Sequence, residues 1–478
     1  MSKLKKNFIY VFIQQFILIG LPFLTIPYIS RVLGPDGVGL YSYSFSVVTM
    51  TINVLLLGSN LYAAREIARV KDDRENLSGV FSDILYIRVF LLSVASIAYL
   101  AICYIFFSDS IVFYLQIIHL IAAYFDITWL FQGLENFKKV VIRNVLVKLL
   151  GFISIFIFVK DENDLFLYTI IMGVSVLLGN GLLFYKLREA VSFTRISSSL
   201  KVKKHINEML ILFIPAFSAM IYSVLDKTMI GALSTTTQVG YYEQSYKIVY
   251  MITSIINVTG IVMLPRTSSM IANNQMEKLH EVFRNGVQVI LLLSFPLVFG
   301  LILIADDFVV WFLGDSFEAS VIICMVMAPI ILFKALGVVF GSWYLVPMGM
   351  NRQYTIPIVV GAVFNIIFNF ILIPFYGAMG AAVATVTTEA IIVCIQIWLL
   401  RKTFEATFYL KGFLKFGVLS LVMFGVVFGM TNLMGEQPAL FAIIIKVATG
   451  ALLYLLLLIL TKDATYKWIL QNLKRRKG

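Results

Sequence analysis

Charged residues are scarce in this chain. Asp, Glu, Lys and Arg make up 13% of its 478 residues, where a soluble protein carries about 25%. With 60% hydrophobic residues, that shortage excludes an ordinary water-soluble fold and places the chain in a membrane. Cysteine is scarce too. Cys103, Cys324 and Cys394 all fall in apolar runs without metal-ligand spacing, which excludes a disulfide framework or a zinc site and leaves them as small core residues. The three histidines, His119, His205 and His280, are scattered. There is no histidine pair on one helix face and no nucleophile elbow, so nothing resembles an enzyme site. Long hydrophilic segments are missing as well. The longest stretches between apolar runs cover 186–207 and 305–319, too short for a catalytic domain.

What is abundant is apolar sequence in runs of membrane length. Crossing the hydrocarbon core takes about 20 apolar residues as a helix. Fourteen runs qualify: 8–30, 38–60, 81–106, 111–132, 140–159, 164–185, 207–230, 239–263, 285–304, 320–345, 354–374, 380–400, 412–433 and 439–461. The chain begins MSKLKKNFIYVF, like a signal peptide, but no small-residue cleavage site follows, so a first transmembrane helix is expected. Lys and Arg collect in alternate loops; the loops on the other side carry only Arg31 and Lys160. The positive-inside rule then puts both termini in the cytoplasm. It also explains the net charge of +12 as loop lysines beside anionic lipid, not as nucleic-acid binding. The expected setting is a bacterial cell membrane, crossed many times.

The run VGLYSYSFS (38–46) reappears as VGYYEQSYK (239–247), an offset of 201 residues and six spans. An even number of spans between copies makes a parallel repeat with its axis along the membrane normal. The polar residues share that offset. Ser42, Ser46, Thr49 and Asn53 map onto Glu243, Lys247, Tyr250 and Ser254, and Asn257 continues the second stripe. Such spacing puts each set on one helix face. A polar face toward lipid is unfavourable, so both stripes are expected in an interior; hydrogen bonding between helices without a cavity is the alternative. The same offset places Thr25 opposite Asp226. Pro22, Pro27 and Pro215 in these spans suit either a bending gate or passive kinks.

Four lysines sit inside apolar runs: Lys148, Lys227, Lys247 and Lys334. A cation at mid-membrane costs about 2.5–3.5 kcal/mol on insertion scales, so each calls for a partner or an anionic ligand. Asp226 with Lys247, or Glu243 with Lys227, could neutralise the outer set. Few acids share the depth of Lys148 and Lys334, which makes those two the leading substrate cations. Asp126 is expected on a stripe with His119 and Trp129, able to pair with Lys148 or to bind a coupling ion. Glu389 has the same two readings. Arg88 and Lys415 lie near span ends and are expected to snorkel; Lys446 is deeper and its role is open. The glycine-rich stretch 31–39 lacks the strand–loop–helix setting of a phosphate loop and is expected to be a tight outer turn.

RVLGPDGVGLYSYSFS (31–46), LDKTMIGALSTTTQVGYYEQSYKIV (225–249), LPR (264–266) and YGAMGAAVATVTTE (376–389) resemble the multidrug/oligosaccharidyl-lipid/polysaccharide exporter superfamily. Within it they look most like the polysaccharide repeat-unit flippases of capsule and O-antigen pathways. The resemblance implies an all-α polytopic membrane protein of about 14 transmembrane helices: a six-helix bundle over 1–190, a cytoplasmic linker over 191–206, a second bundle over 207–402, and two further helices with a basic tail over 403–478. It also implies a lumen between the bundles that opens alternately to each side, with a polyprenyl-pyrophosphate-linked oligosaccharide as cargo. The drive would be a Na+ or H+ gradient, without any other cofactor or a metal. Lys148, Lys334, Lys247 and Lys227 would meet the pyrophosphate; Ser42, Ser46, Thr49, Asn53, Tyr250, Ser254 and Asn257 would meet the sugars. Asp126, Asp226, Glu243 and Glu389 are the candidates for the coupling ion. Partners would be membrane lipid and polysaccharide-assembly proteins, and a monomer would suffice. Two rivals remain: an ion-coupled multidrug exporter, which calls for an acidic cavity, and a membrane glycosyl polymerase, which calls for a large catalytic loop.

Overall fold

A computed structural model shows an all-helical chain. The structure describes residues 3–194, 199–220, 224–404, 406–433, 437–463 and 465–468; the side chains of 3–19 and of some later helical positions, Pro215 and Asn257 among them, lie outside that description. Ten helices among the described residues are long and apolar enough to cross a membrane. Two of them are broken by a glycine. α1 (Lys3–Leu55) changes course at Gly34, with φ 64° and ψ 179°, inside the stretch expected to turn. α15 (Asn351–Leu400) breaks at Gly377, with φ 54° and ψ −129°. The paired intervals 8–30 and 38–60, and 354–374 and 380–400, lie on either side of these breaks. The chain packs as two compact units, residues 1–240 and 241–478.

In the first unit, Leu57 and Gly58 adopt positive φ and turn the chain into a helix that the hydropathy reading left as loop. This is α2 (Ser59–Val70), with Ser59, Tyr62, Ala63 and Ile67 buried along one face. α3 (Arg74–Phe106) starts on an Asp73 cap whose carboxylate accepts the Glu75 and Asn76 amides, a standard match of acceptor to orphan donors. The interval 111–132 is three pieces: α4 (Ile111–Leu115), α5 (Ile117–Tyr124) and α6 (Thr128–Gly133). α7 (Phe137–Phe158) and α8 (Leu165–Tyr185) pack on each other and on α1 and α5. α9 (Ser199–Met220) docks on α2 and α3, and α10 (Asp226–Leu233) lies along α1. Phe81 stacks on Trp129 with ring centroids 5.2 Å apart, at the centre of a core with Tyr62, Ile127, Phe131 and Met209.

The second unit is built around α12 (Met276–Leu313), which packs against α14 (Ile330–Val338), α16 (Ala406–Leu433) and α17 (Ala439–Leu460). α13 (Ser320–Met327) is separated from α14 by Pro329. A π-helical turn, Val339–Leu345, follows α14; such turns widen the helix locally and recur near functional sites. Beyond Gly377 the second half of α15 returns along the first, so that Gly361 lies against Ile392 and Thr388.

The repeat is visible in the backbone. Within the first unit, residues 35–39 of α1 cross residues 236–240 at the start of α11 (Thr236–Ala272). A Cβ on Gly39 would lie 1.8 Å from the Thr236 carbonyl oxygen, and one on Gly240 would lie 2.1 Å from that of Pro35. Adding 201 to 35 and 39 gives 236 and 240. The contact is therefore reciprocal about the repeat offset, each glycine meeting the residue equivalent to the other's partner. The Asp36 carboxylate accepts a hydrogen bond from the Thr237 hydroxyl and seals the crossing from one side. Without a hydrophobic drive between helices in lipid, such close backbone contact is what favours association. Gly39→Ala or Gly240→Ala should lower stability by about 1–3 kcal/mol through overpacking. Gly79→Ala, whose Cβ would meet nothing within 4 Å, serves as the control. Thermal unfolding of the purified protein in detergent measures both, and equal melting for Gly39→Ala and the control would contradict the crossing.

Candidate functional site

Hydrogen-bond donors and charges inside an apolar medium must find partners. The structure shows where these go. Lys334 on α14 reaches Glu389 on α15, Nζ to Oε1 2.5 Å, with the carboxylate side chain 7% exposed. Few acids were expected at the depth of Lys334, and Glu389 is one of them: the two residues are 55 apart in sequence, and the packing of α14 on α15 brings them together. Lys247 lies 3.2 Å from Glu243, one turn earlier on the same helix. This contact lies within one helix and is of the i to i+4 type. Lys446 on α17 pairs with Asp307 on α12 at 2.6 Å. Lys415, itself exposed, pairs with the buried Asp463, so its charge has a partner within the protein.

Arg88 differs most from expectation. It is 2% exposed and does not reach a membrane surface. α2 folds back over it: Nη1 donates to the Ser59 hydroxyl and to Asn60 Oδ1, both at 2.6 Å, and the guanidinium lies 5.8 Å from the Trp129 ring centroid. Asp126, expected on a helical stripe, sits instead in the break between α5 and α6, where its Oδ1 accepts the Thr128 amide at 3.0 Å. It lies within electrostatic reach of both Arg88 and Arg143. Arg143 also donates to Asn144 and Asn180. Lys148, farther along α7, is exposed on the unit's surface. Asp226 is buried at the start of α10, with Lys227 beside it.

The two polar stripes begin packed and then open. Ser42 and Ser46 are buried, and Ser46 Oγ shares a hydrogen bond of 2.8 Å with Thr228 Oγ1 of α10. One to two turns on, Thr49 is half-buried and Asn53 exposed. In the second copy Glu243 is buried and Lys247 partly so, while Tyr250 is 50% exposed. Ser254 turns back to the Met251 carbonyl at 2.7 Å. The side chain of Asn257 lies outside the described residues. At the start of each stripe, then, the polar groups serve helix contacts, and Thr49, Asn53 and Tyr250 are the ones open to a ligand.

Sequence reasoning missed a buried polar seam between the halves of α15. Asn365 and Asn369 are fully buried, and Asn369 Nδ2 donates to Asn365 Oδ1 at 3.2 Å. Thr385, facing from the other half, shares a hydrogen bond of 3.0 Å with Tyr242 of α11. Thr388 and Gln396 are buried beside Glu389 in chain order. The signal was present as two asparagines four apart followed by Thr385, Thr388, Glu389 and Gln396 on one face. The second unit also holds a cavity of about 580 Å³ between α12, α16 and α17. Its wall is almost wholly apolar, with Leu292, Pro296, Gly300, Met423, Ala451 and Tyr454 in it, and Lys446 marks one end.

Comparison with known proteins is consistent with this arrangement. A protein named as an O-antigen transporter in Escherichia coli strain K12 is 21% identical over 402 residues, covering 83% of this chain and 97% of that protein. A protein of Haloferax volcanii named as a low-salt glycan biosynthesis flippase, Agl15, is 25% identical over 301 residues, 61% of each chain. Among solved structures, the lipid II flippase MurJ in an inward closed conformation matches with a TM-score of 0.75 and 16% identity over 96% of this chain and 99% of that one. An inward-facing MATE family multidrug transporter matches with a TM-score of 0.61 and 14% identity, over 81% and 98%. At such identities these two matches establish the fold: a multi-pass helical membrane protein of the kind the sequence resembles. A family model described as "Polysaccharide biosynthesis protein" matches residues 4–271, more than half of the chain, and the chain belongs to that family.

Proposed function

We propose that this protein is a flippase. It moves a polyprenyl-pyrophosphate-linked oligosaccharide from the cytoplasmic to the outer leaflet by alternating access, without chemical change to the cargo. The observation that carries the reading is the coexistence, in the second unit, of an apolar cavity and a buried polar seam that includes the Lys334–Glu389 pair. An amphiphile with a sugar head and an isoprenoid tail needs both. The cavity of about 580 Å³ against α16 and α17 is of the size that ligand pockets commonly have, ~300–1,000 Å³, and its wall suits a hydrocarbon chain. The open ends of the polar stripes, Thr49, Asn53 and Tyr250, offer hydrogen bonds to sugar hydroxyls. Relatives named as O-antigen and glycan transporters support the same cargo class. A multidrug exporter with cationic cargo fits less well, since Glu243 and Glu389 already face lysines.

The drive we infer is an ion gradient. Of the acids considered for it, Glu243, Glu389 and Asp126 each have a lysine or arginine at hand, with which a coupling ion would compete. In the same way an arriving pyrophosphate would draw Lys334 away from Glu389. An ion pair that opens for an anionic substrate costs less than a bare cation held ready in an apolar interior.

Reconstituted in vesicles with lipid-linked oligosaccharide on one leaflet, the protein should expose the sugar to an impermeant lectin on the other. No movement above protein-free vesicles would sink the proposal. The Lys334–Glu389 pair separates two roles. Lys334→Met alone leaves a buried carboxylate and should destabilise by about 3–5 kcal/mol. The double variant Lys334→Met/Glu389→Leu should recover the melting temperature. If Lys334 also meets the pyrophosphate, that stable double variant transports at least ~10-fold more slowly, the factor that ~1.4 kcal/mol of lost binding gives; full transport would make the pair purely structural. Filling the apolar cavity with Ala451→Trp should cut transport of long-tailed substrate by about tenfold, again ~1.4 kcal/mol. Substrates with a short tail should be spared, as read by the same lectin assay.

A further inference from the structure

By the repeat offset, α9 opens the second copy of the fold, yet its first turns are docked on α2 and α3 inside the first unit. The chain leading into it is pinned as well: the Ser192 amide donates to the Ser78 hydroxyl at 3.1 Å, and the Thr194 amide to that of Ser82 at 3.0 Å. The dock itself is polar and closed off from solvent. The Tyr62 hydroxyl and His205 Nδ1 are 2.6 Å apart. His205 Nε2 faces Asp83 Oδ2 at 3.8 Å. Tyr62, Asp83 and His205 are 1%, 2% and 9% exposed, with Leu77, Phe81 and Met209 packed in the same core. At the rim, Arg65 of α2 meets Glu208 of α9 at 2.5 Å and also Glu66, which in turn binds Arg69. Lys204 precedes the histidine. The transport reading uses none of these groups. Neighbouring cytoplasmic contacts would be served as well by apolar residues, so a titratable side chain at the centre of the dock asks for a reason.

We propose that Tyr62, Asp83 and His205 form a proton-binding clasp whose protonation state sets whether the start of α9 stays docked on α2 and α3. A neutral imidazole accepts the Tyr62 hydroxyl proton at Nδ1 and carries its own hydrogen on Nε2, toward Asp83. A proton added at Nδ1 removes that acceptor, obliges Tyr62 to turn and accept instead, and leaves a cation in a closed site. Burial lowers the proton affinity of His205; Asp83, Glu66 and Glu208 pull the other way, Lys204 adds to the lowering, and the net direction is downward. The sign follows. The docked state binds the proton less tightly than exposed histidine, whose pKa is about 6.5. Docking is thus strongest above about pH 6.5 and weakens as pH falls from there toward the lower pKa of the docked histidine. Lifting α9 takes up a proton and docking releases it, on the side that loop charge assigns to the cytoplasm. The clasp rests on the transport reading only for its use in a cycle; its test needs no substrate.

Ala68 on α2 and Lys203 on α9 are both exposed. Spin labels on Ala68→Cys and Lys203→Cys, in lipid nanodiscs, report the distance between the two helices by double electron–electron resonance. As pH falls from about 8 to about 5.5, across the histidine range, a longer and broader population should appear. His205→Gln keeps hydrogen bonding but cannot titrate, and should abolish the shift. A distance that ignores pH, or an identical shift in His205→Gln, overturns the proposal. Tyr62→Phe gives a second reading, with the longer population expected already at the alkaline end; an unchanged distribution there also counts against it.

Discussion

The constraint on which the rest of this structure depends is that an ionised side chain within an apolar medium must be answered by another group of the protein. Lys334, Lys247, Lys446 and Lys415 each have a carboxylate. Arg88 has Ser59, Asn60, an aromatic face and the field of Asp126. Three of the lysine pairs join different elements: α14 to α15, α17 to α12, and α16 to the segment after α17. An ion pair of this kind adds little net stability over a well-packed apolar pair. Its effect is on register. Rotating α14 or α17 by one residue would separate the charges and expose both, so the pairs fix which faces of the helices meet.

Glycine does complementary work where no side chain can fit. The crossing of 35–39 with 236–240 is set by backbone oxygen atoms, and it is reciprocal about the 201-residue offset. Polar side chains nearby follow the same division. Ser42 and Ser46, close to the crossing, are consumed in helix contacts. Thr49, Asn53 and Tyr250, farther from it, are open. Exposure grows along the first stripe with distance from the crossing, and along the second it rises to Tyr250 and falls again at the buried Ser254.

Much of the architecture was legible in the chain. Apolar runs of spanning length located the helices, the glycine-rich stretch 31–39 located the break at Gly34, and the gap between the runs 354–374 and 380–400 held the one at Gly377. The phase of the polar stripes followed from one offset, because helical periodicity is a local property. Partners were not legible. Lys334 and Glu389 are 55 residues apart, and whether they meet depends on how two helices are rotated, which hydropathy does not encode. Arg88 was misplaced for a related reason. Distance along a span puts it near the surface, but the amphipathic α2, too short and too charged to register as a span, folds back and buries it. The same helix supplies Tyr62 to His205, so the cluster of Tyr62, Asp83 and His205 was hidden by the same omission.

The arrangement favours ion pairs over free cations as the means of meeting an anionic head group. A lysine held without a partner in the interior would bind pyrophosphate tightly, but it would also be costly when empty and slow to let go. A lysine exchanged between a carboxylate and a phosphate keeps hydrogen bonds in both states, so the energy of the loaded and empty protein differs less. A carrier that must return empty benefits from such balance, because a large difference in either direction traps one state. In the proposed transport cycle Glu389 and Glu243 would take part in substrate handling through the lysines they release, so the acidic residues that sequence reasoning set aside for an ion would have a role even where no ion binds to them.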